Sequence, residues 1–327
     1  MLFREFFCQH AEEKLAPKTI ERYRELALYL APELLAMPLC EITPLHLSRE
    51  WNRLLKSGGH HRKTRQARPL SAKTVRHIAG LVSSAFARAE RWGLVTTNPV
   101  TRSEPPIPKK HRGVALTPAQ QVLVFASATG PWCLAAFLEI CAATGARRGE
   151  VLALRWSDIQ DGRAIITRSL TQTRHVLEFK GTKTEKPRDV KVPESALGAL
   201  ETHRQRQNEY RQQFGADYRA DLDLIFANSD GTPLRPNSIS SAVSLLFRRL
   251  SLPKGASLHS LRHSHGSHLV ADGVPLPVVS ERLGHSSIRT TVDVYTHVLR
   301  GQDDDAARRW DEFQRRGTPD SLDRKVQ

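Results

Sequence analysis

Residues 283–297 read LGHSSIRTTVDVYTH and hold a glycine, a histidine and a tyrosine at informative positions. Gly284 is placed to end one helix, and the serines at 286 and 287 are placed to begin the next. His285 is then left in the exposed turn between the two helices. Tyr295 lies further along the second helix. The stretch therefore predicts a helix, a turn and a helix that carry an imidazole and a phenol.

A second stretch, LHSLRH, occupies residues 258–263 and begins a predicted helix that Ser257 caps. Spacings of three and four residues place His259, Arg262 and His263 on one face of that helix. The face is basic and titratable, which suits a functional site but also suits a solvated surface. A histidine metal site is a further alternative, although no carboxylate is interleaved at the spacing that metal ligands need.

Residues 144–156, TGARRGEVLALRW, place a glycine after an apolar helix and restart a helix at about Arg147. Arg147 is therefore predicted to lie at a junction between helices, where its forked guanidinium can hold a phosphate. Glu150, near the start of the new helix, suits the positive end of the helix dipole. The competing interpretation of Arg147 is an ordinary solvated arginine.

Together these stretches resemble the signature boxes of the tyrosine recombinase, or phage-integrase, family. Residues 144–147 followed by Glu150 resemble the first arginine box, residues 259–263 the second, and residues 283–297 the third. Between the first two boxes, Gly181-Thr182-Lys183-Thr184 lies in a predicted turn between strands, where the family keeps its catalytic lysine. The resemblance covers about residues 113 to 300 and implies these catalytic residues: Arg147, Lys183, His259, Arg262, His285 and Tyr295.

The resemblance also implies a mechanism. Tyr295 attacks a DNA phosphodiester and forms a 3′-phosphotyrosine link, which retains the bond energy for rejoining. Lys183 is the general acid for the departing 5′ hydroxyl, and His259 assists proton transfer around the nucleophile. Three positive donors stabilise the non-bridging oxygens of the transition state, namely Arg147, Arg262 and His285. We therefore expect no cofactor, neither a metal ion nor ATP.

Some assignments stay open at the level of sequence. Lys180 and Lys186 flank Lys183 in a turn that sequence positions only to within about two or three residues. His263 is expected next to the site or in the core rather than in a direct role. His297 follows the tyrosine closely and is expected to face solvent.

Composition limits the class of partner. The chain has 327 residues and a formal net charge of +15, which indicates a polyanionic partner. Nucleic acid is favoured over an anionic membrane, because no amphipathic anchor or lipidation signal accompanies the basic residues. The first residues lack the apolar core of a secretory signal. The most apolar stretch, residues 122–146, is broken by Gly130-Pro131 and carries Glu139. We expect a cytoplasmic protein without a transmembrane segment.

The predicted fold is mainly α with a small antiparallel β-sheet (α+β). We expect a helical core-binding (SAM-like) DNA-binding domain over 1–100, a basic proline-containing linker over 101–113, a catalytic integrase domain over 114–300, and a C-terminal helix and tail over 301–327. Three strands, at residues 164–167, 176–179 and 189–192, are expected to form the small sheet. Larger phage integrases carry a further arm-binding domain, which nothing before Phe3 could form. The resemblance thus implies a Xer-like two-domain layout, or a chain whose true start lies upstream.

The expected partners are double-stranded DNA recombination sites. The family resemblance implies a homotetramer on two DNA sites that is a monomer without DNA, and no membrane partner. The C-terminal helix could pack on its own domain or on a neighbouring protomer. Two other functions compete: a type IB topoisomerase-like relaxing enzyme, and a DNA-binding regulator that keeps the fold without catalysis. The sequence leaves open the target site and the choice among integration, excision and resolution of a DNA element.

Overall fold

The computed structural model describes residues 1–6, 16–60, 66–109, 113–174, 176–182, 187–296 and 303–316. The chain divides into two compact units, Met1–His111 and Arg112–Gln327. We call them the N-terminal and C-terminal units and describe each by itself. Across the described residues, no helix is both long enough and apolar enough to cross a bilayer.

The described part of the N-terminal unit is built from helices and a short antiparallel pair of strands. Its described elements are α1 (Pro17–Ala27), α2 (Pro32–Leu35), α3 (Pro44–Ser57), β1 (Gly59–His60), β2 (Ala67–Arg68) and α4 (Ala72–Arg91). Ser71 caps α4 by accepting a hydrogen bond from the Thr74 backbone N–H at 3.2 Å, at the start that the sequence predicts. Trp51 is buried in the core, and its indole N–H donates to the Ser103 hydroxyl at 2.9 Å.

The C-terminal unit is also mainly helical. Its described helices are α5 (Pro118–Ala126), α6 (Leu134–Thr144), α7 (Arg148–Val151), α8 (Glu194–Phe214), α9 (Pro236–Arg249), α10 (Leu258–Ala271), α11 (Leu276–Leu283), α12 (Ile288–Tyr295) and α13 (Asp303–Arg316). Helix α6 is nearly all apolar and packs against α8 and α10, so it lies at the centre of this core. Gly145 ends it, and Gly130-Pro131 lies shortly before its first residue.

The strands of the C-terminal unit form two small antiparallel ladders. One has the order β3 (Ile159–Gln160), β4 (Arg163–Ile166), β7 (Arg188–Lys191), and the other pairs β5 (Arg168–Gln172) with β6 (Leu177–Gly181). The predicted antiparallel character is confirmed. The expectation of a single three-stranded sheet is wrong, because the strand near residue 177 pairs with β5 and not with its predicted neighbours.

The missed strand has a local explanation. Residues 163–172 run from β4 into β5 with only Thr167 between them, and no Gly or Pro marks the change of ladder. Leu170 of β5 is buried in the core, and the Arg168 guanidinium lies 4.8 Å from the centre of the Phe179 ring on β6. Contacts across the hairpin therefore define β5, and these contacts are not visible in the alternation of the sequence.

Candidate active site

Arg147 lies at the junction of α6 and α7, as the sequence predicts. Gly145 ends α6 with a φ of +63°, and an added β-carbon there would lie 2.6 Å from Leu283, so only glycine fits. The Arg147 guanidinium donates from Nη1 to Glu150 at 2.8 Å and from Nη2 to the Gly284 carbonyl at 2.9 Å. Its side chain keeps 30% of its surface exposed, which leaves it accessible to a phosphate.

Helix α10 supplies His259 and Arg262. Arg262 is only 4% exposed, and its Nη1 donates to the Gly145 carbonyl at 2.7 Å. Burial and then the charge of Arg147 lower the pKa of Arg262 to about 10, so it stays protonated at neutral pH. His259 is exposed to solvent. Desolvation by the surrounding atoms, followed by the charges of Arg262 and Arg147, nevertheless lowers its pKa.

A cleft opens beside these two residues. It has a volume of about 250 Å³, and its lining includes Arg148, Ser240, Ser244, His259 and Arg262. Hydroxyl and guanidinium groups in one cleft suit the oxygens of a phosphodiester.

His285 lies in the turn between α11 and α12, where the sequence predicts it. Its Nδ1 is 2.7 Å from the hydroxyl of Thr291, a buried residue of α12. Burial, followed by the charges of Arg262 and Arg147, lowers the pKa of His285 to about 4. The imidazole is therefore neutral at neutral pH, whereas the resemblance implies a positive donor. The negative charge of a bound phosphate would raise that pKa again.

Tyr295 ends α12 and packs against α10. It is 2% exposed, its ring stacks on His263 with centroids 5.3 Å apart, and a β-carbon added at Gly266 would overlap its hydroxyl. Burial raises the pKa of Tyr295, and the charge of Arg262 offsets part of that rise. The phenol is therefore protonated and packed against α10. His263 is buried beside it, which agrees with the expectation of a position in the core next to the site.

Direct contacts join the three boxes. Arg147 of the first box bonds the backbone of Gly284 in the third, and Arg262 of the second box bonds the backbone of Gly145 in the first. Tyr295 of the third box packs on the helix of the second. The structure therefore brings together five of the residues expected from the sequence: Arg147, His259, Arg262, His285 and Tyr295.

The lysine assignment is not tested. Lys183 and its neighbour Lys186 lie outside the described residues, as does His297. Lys180 is described, and its ammonium lies 3.1 Å from the carboxylate of Glu178 on the same strand. The general acid is therefore still a prediction from the resemblance.

Sequence reasoning missed Arg188. This residue begins β7, its side chain is 7% exposed, and its Nη2 donates to Glu150 at 2.6 Å. The same Glu150 carboxylate accepts hydrogen bonds from the backbone and the side chain of Arg147, both at 2.8 Å. The sequence could have pointed to Arg188 through its position five residues after Lys183. In a chain with 49 Lys and Arg residues, that position is weak evidence for a functional role.

Other histidines of α10 bond to protein groups. His265 accepts from Arg282 Nε at 2.9 Å, and His268 Nε2 lies 3.0 Å from the Leu116 carbonyl. Over the described ranges, no three His, Cys, Asp or Glu side chains are grouped as a bound metal ion would require. The geometry therefore gives no support to the alternative of a histidine metal site on this helix.

Comparison with known proteins identifies the family. The sequence profile of the phage integrase family matches residues 117–301. Tyrosine recombinase XerC of Agrobacterium fabrum (strain C58) is 30% identical over 302 residues, which cover 88% of this chain and 86% of that protein. The chain belongs to the phage integrase family and is a tyrosine-type site-specific recombinase, an enzyme that breaks and rejoins DNA strands. The family expected from the boxes is thus confirmed.

Solved structures support the fold. The Tn1549 transposon integrase in complex with a circular intermediate DNA superposes with a TM-score of 0.74 at 19% identity, covering 90% of this chain and 95% of that one. A lambda integrase tetramer bound to a Holliday junction superposes with a TM-score of 0.64 at 20% identity, covering 88% and 78% respectively. The mainly helical architecture with small antiparallel sheets is confirmed.

Proposed function

We propose that this recombinase cuts DNA at specific sites through a 3′-phosphotyrosine formed by Tyr295. The observation that carries the proposal is the bonded arrangement of the three boxes. Arg147 and Arg262 are each held by a backbone carbonyl of another box, and Tyr295 packs on the helix that carries Arg262. Side chains fixed in this way are preorganised to stabilise charge that develops on a phosphate.

The proposed step is a transesterification, in which one phosphate ester bond forms as another breaks. The Tyr295 oxygen attacks phosphorus and forms a new ester, while the bond from phosphorus to the 5′ oxygen breaks. His259 assists removal of the phenol proton, and Lys183 gives a proton to the leaving oxygen. A 5′ hydroxyl then attacks the phosphotyrosine and rejoins a strand, which restores the phenol. Because each ester replaces another, the step needs no ATP.

Arg147 and Arg262 are proposed to donate to the non-bridging oxygens. Loss of one such donor typically costs about 100- to 1,000-fold in rate. His285 is the third donor. If the Thr291 hydroxyl donates to Nδ1, a neutral His285 carries its proton on Nε2 and offers it to the phosphate. Arg147 and Arg262 supply the positive charge of the site, and the proposal includes no metal ion.

Exposure of Tyr295 is coupled to DNA binding in this proposal. Tyr295 is 2% exposed, so its hydroxyl must become exposed before it can reach a phosphate. DNA held by Arg147 and Arg262 would favour the exposed conformation if it binds that conformation more tightly than the packed one.

Double-stranded recombination sites are the proposed partners. The net charge of +15 supports binding to a polyanion, and both solved structures described above are complexes with DNA. We propose residues 1–100 as the core-binding domain, 101–113 as the linker, 114–300 as the catalytic domain and 301–327 as the C-terminal segment. We also propose a monomer that assembles into a homotetramer on two sites, and the lambda integrase tetramer bound to a Holliday junction supports the tetrameric state. Action on DNA also supports a cytoplasmic location.

The experiment uses nicked suicide duplexes drawn from DNA that flanks the gene, incubated without metal or ATP. The unmodified protein is compared with Tyr295→Phe on a denaturing gel, with Tyr210→Phe as a matched control. Tyr210 belongs to the same unit but contacts Trp132, away from the boxes. The proposal predicts a covalent adduct for the unmodified protein and Tyr210→Phe, and none for Tyr295→Phe.

The same experiment separates the other candidate functions. An adduct that persists in Tyr295→Phe would refute the assigned nucleophile. DNA binding without an adduct on any fragment would favour the regulator that lacks catalysis. Relaxation of plasmids that carry no recombination site would favour the topoisomerase-like enzyme. Neither alternative is favoured by the family match and the intact boxes.

A further inference from the structure

Arg188 connects groups that the reaction needs but is not itself one of the predicted catalytic residues. Its Nη2 donates to Glu150 Oε2 at 2.6 Å, and its Nε donates to the Arg282 carbonyl at 3.2 Å. Glu150 Oε1 accepts from Arg147 Nη1 at 2.8 Å. One carboxylate therefore joins the guanidinium of Arg188 to the guanidinium of Arg147.

Burial makes this bridge dependent on Arg188. Glu150 is 1% exposed, and a buried carboxylate is costly unless cations and hydrogen bonds compensate for lost water. Burial raises the pKa of Glu150, but the hydrogen bond and charge of Arg188, followed by the hydrogen bonds of Arg147, bring it below its usual value. Arg188 is the more buried of the two cations, with 7% of its side chain exposed against 30% for Arg147.

Arg188 also touches the turn that carries His285. A β-carbon added at Gly284 would lie 2.8 Å from Arg188 Cζ and Nη1, so the guanidinium lies against the backbone of this glycine. The Gly284 carbonyl accepts the hydrogen bond from Arg147 at 2.9 Å. Gly284 is thus held between the two arginines, and His285 is the next residue in the chain.

One nitrogen of the Arg188 guanidinium makes no hydrogen bond to a described residue. Its Nη1 is buried and has no hydrogen-bond partner among the described residues. A buried donor without a partner costs stability, and such groups in native structures need a reason. The other hydrogen bonds of the guanidinium supply that reason. A guanidinium that turned to satisfy Nη1 would lose its hydrogen bonds with Glu150 and the Arg282 carbonyl.

We propose that Arg188 is a positioning residue, which holds Arg147 through Glu150 and holds the His285 turn through Gly284. The proposal rests on the proposed function of this site and deepens it. Arg188 begins strand β7 and follows Lys183 by five residues in the sequence. Without Arg188, DNA should still bind, but the groups that act on the phosphate should lose their arrangement.

The test uses full-length Arg188→Met and Arg188→Lys. The first removes the charge and the forked donors, and the second keeps the charge alone. Arg163→Met is the matched control, because Arg163 lies on the adjacent strand β4 and forms an exposed ion pair with Asp189, not with Glu150. Circular dichroism and thermal melting establish that each variant is folded. Duplex binding and single-turnover adduct formation on nicked duplexes are then measured from about pH 5.5 to about pH 8.5.

We expect Arg188→Met to bind DNA within about threefold of the unmodified protein and to form the adduct about 10- to 100-fold more slowly at neutral pH. The deficit should grow as the pH falls, because Glu150 then faces only Arg147 and protonates more readily. Arg188→Lys should show a smaller deficit, and Arg163→Met none.

A second readout does not depend on activity. The charges that face His285 are those of Arg262, Arg147, Arg188 and His259. Removal of one cation favours the protonated imidazole, so the His285 midpoint, followed by NMR of ¹⁵N-labelled histidine, should rise in Arg188→Met. It should stay unchanged in Arg188→Lys and in Arg163→Met.

Two outcomes overturn the proposal. One is adduct formation by folded Arg188→Met at the unmodified rate. The other is a uniform loss at every pH with an unchanged His285 midpoint, which would mark a merely structural role. If Arg188→Met does not fold, folded Arg188→Lys decides: a rate about fivefold or more below the unmodified protein supports the proposal, and an equal rate refutes it. If the unmodified protein forms no adduct, the proposed function fails, while the NMR comparison still tests Arg188.

Discussion

Replacement of Glu150 by glutamine tests the buried ion cluster directly. The Glu150 carboxylate accepts two hydrogen bonds from Arg147 and one from Arg188, at 2.6 to 2.8 Å, and is 1% exposed. Glutamine has nearly the same shape but has one acceptor oxygen and an NH₂ group that can only donate. The NH₂ group would therefore take the place of Oε1 or Oε2 and would face donors of the protein instead of accepting from them. Arg147 and Arg188 would also lose the negative charge that compensates them.

The expected cost follows from these contacts. Removal of one partner from a buried ion pair typically costs about 3–5 kcal/mol, because the other charge is left uncompensated. Arg147 is partly exposed and recovers some hydration, so we expect Glu150→Gln to lose about 3 kcal/mol, near the lower end of that range. Adduct formation should fall as well, by about 10- to 100-fold, because Arg147 loses its support.

The pH dependence has a definite sign. The folded-state pKa of Glu150 lies below its usual value, so its stabilising contribution is present above the unfolded-state pKa and is lost as the pH falls through the folded-state value. Glu139 is the matched control. Burial raises its pKa, so its ionised form opposes folding at neutral pH, and Glu139→Gln should be neutral or slightly stabilising.

The assay is urea unfolding of both variants and the unmodified protein at neutral and acidic pH. The stability difference between unmodified protein and Glu150→Gln should shrink as the pH falls. A Glu150→Gln protein that is as stable at neutral pH as Glu139→Gln would refute the account of a buried, ionised bridge between Arg147 and Arg188.

Three further predictions concern the tyrosine, the histidine and DNA binding. Gly266→Ala adds a β-carbon that overlaps the Tyr295 hydroxyl and should destabilise the protein by about 1–3 kcal/mol in thermal unfolding. Gly198→Ala, in α8 with no atom within 4 Å of the added carbon, should instead stabilise it by about 0.5–1 kcal/mol; equal effects would contradict the packed phenol. Thr291→Val removes the hydroxyl beside His285 Nδ1 and should slow adduct formation about 10-fold with unchanged DNA affinity, whereas an unchanged rate would exclude a role for that hydrogen bond. DNA affinity should fall steeply with salt, with a log–log slope of about −0.9 per phosphate contact, and a flat titration would count against a basic DNA-binding surface.

The parts of the site that were predicted correctly are encoded locally. Gly145 and Gly284 end helices with positive φ, and both breaks are visible as glycines after apolar or amphipathic runs. His259 and Arg262 share a helical face because their spacing dictates it. These local rules, together with the resemblance to the family, placed the three boxes on the correct helices.

Features that depend on tertiary contacts were not predicted. Arg188 looks like any other arginine in a basic chain, and only the structure shows that its partner is Glu150, 38 residues earlier. Tyr295 likewise packs on Gly266 of another helix. The pattern of apolar residues in the sequence does not predict how these two helices are placed against each other. Strand β5 continues directly from β4, so its pairing with β6 was missed for the same reason.

The most direct test of the central claim is the chemical identity of the covalent link. The adduct trapped on a nicked duplex is digested with a protease and a nuclease, and mass spectrometry locates the residue that carries the nucleotide. The account predicts a 3′-phosphoryl group on Tyr295, with an unmodified 5′ hydroxyl on the released strand. A nucleotide on any other residue, or a 5′-phosphoryl link, would contradict it.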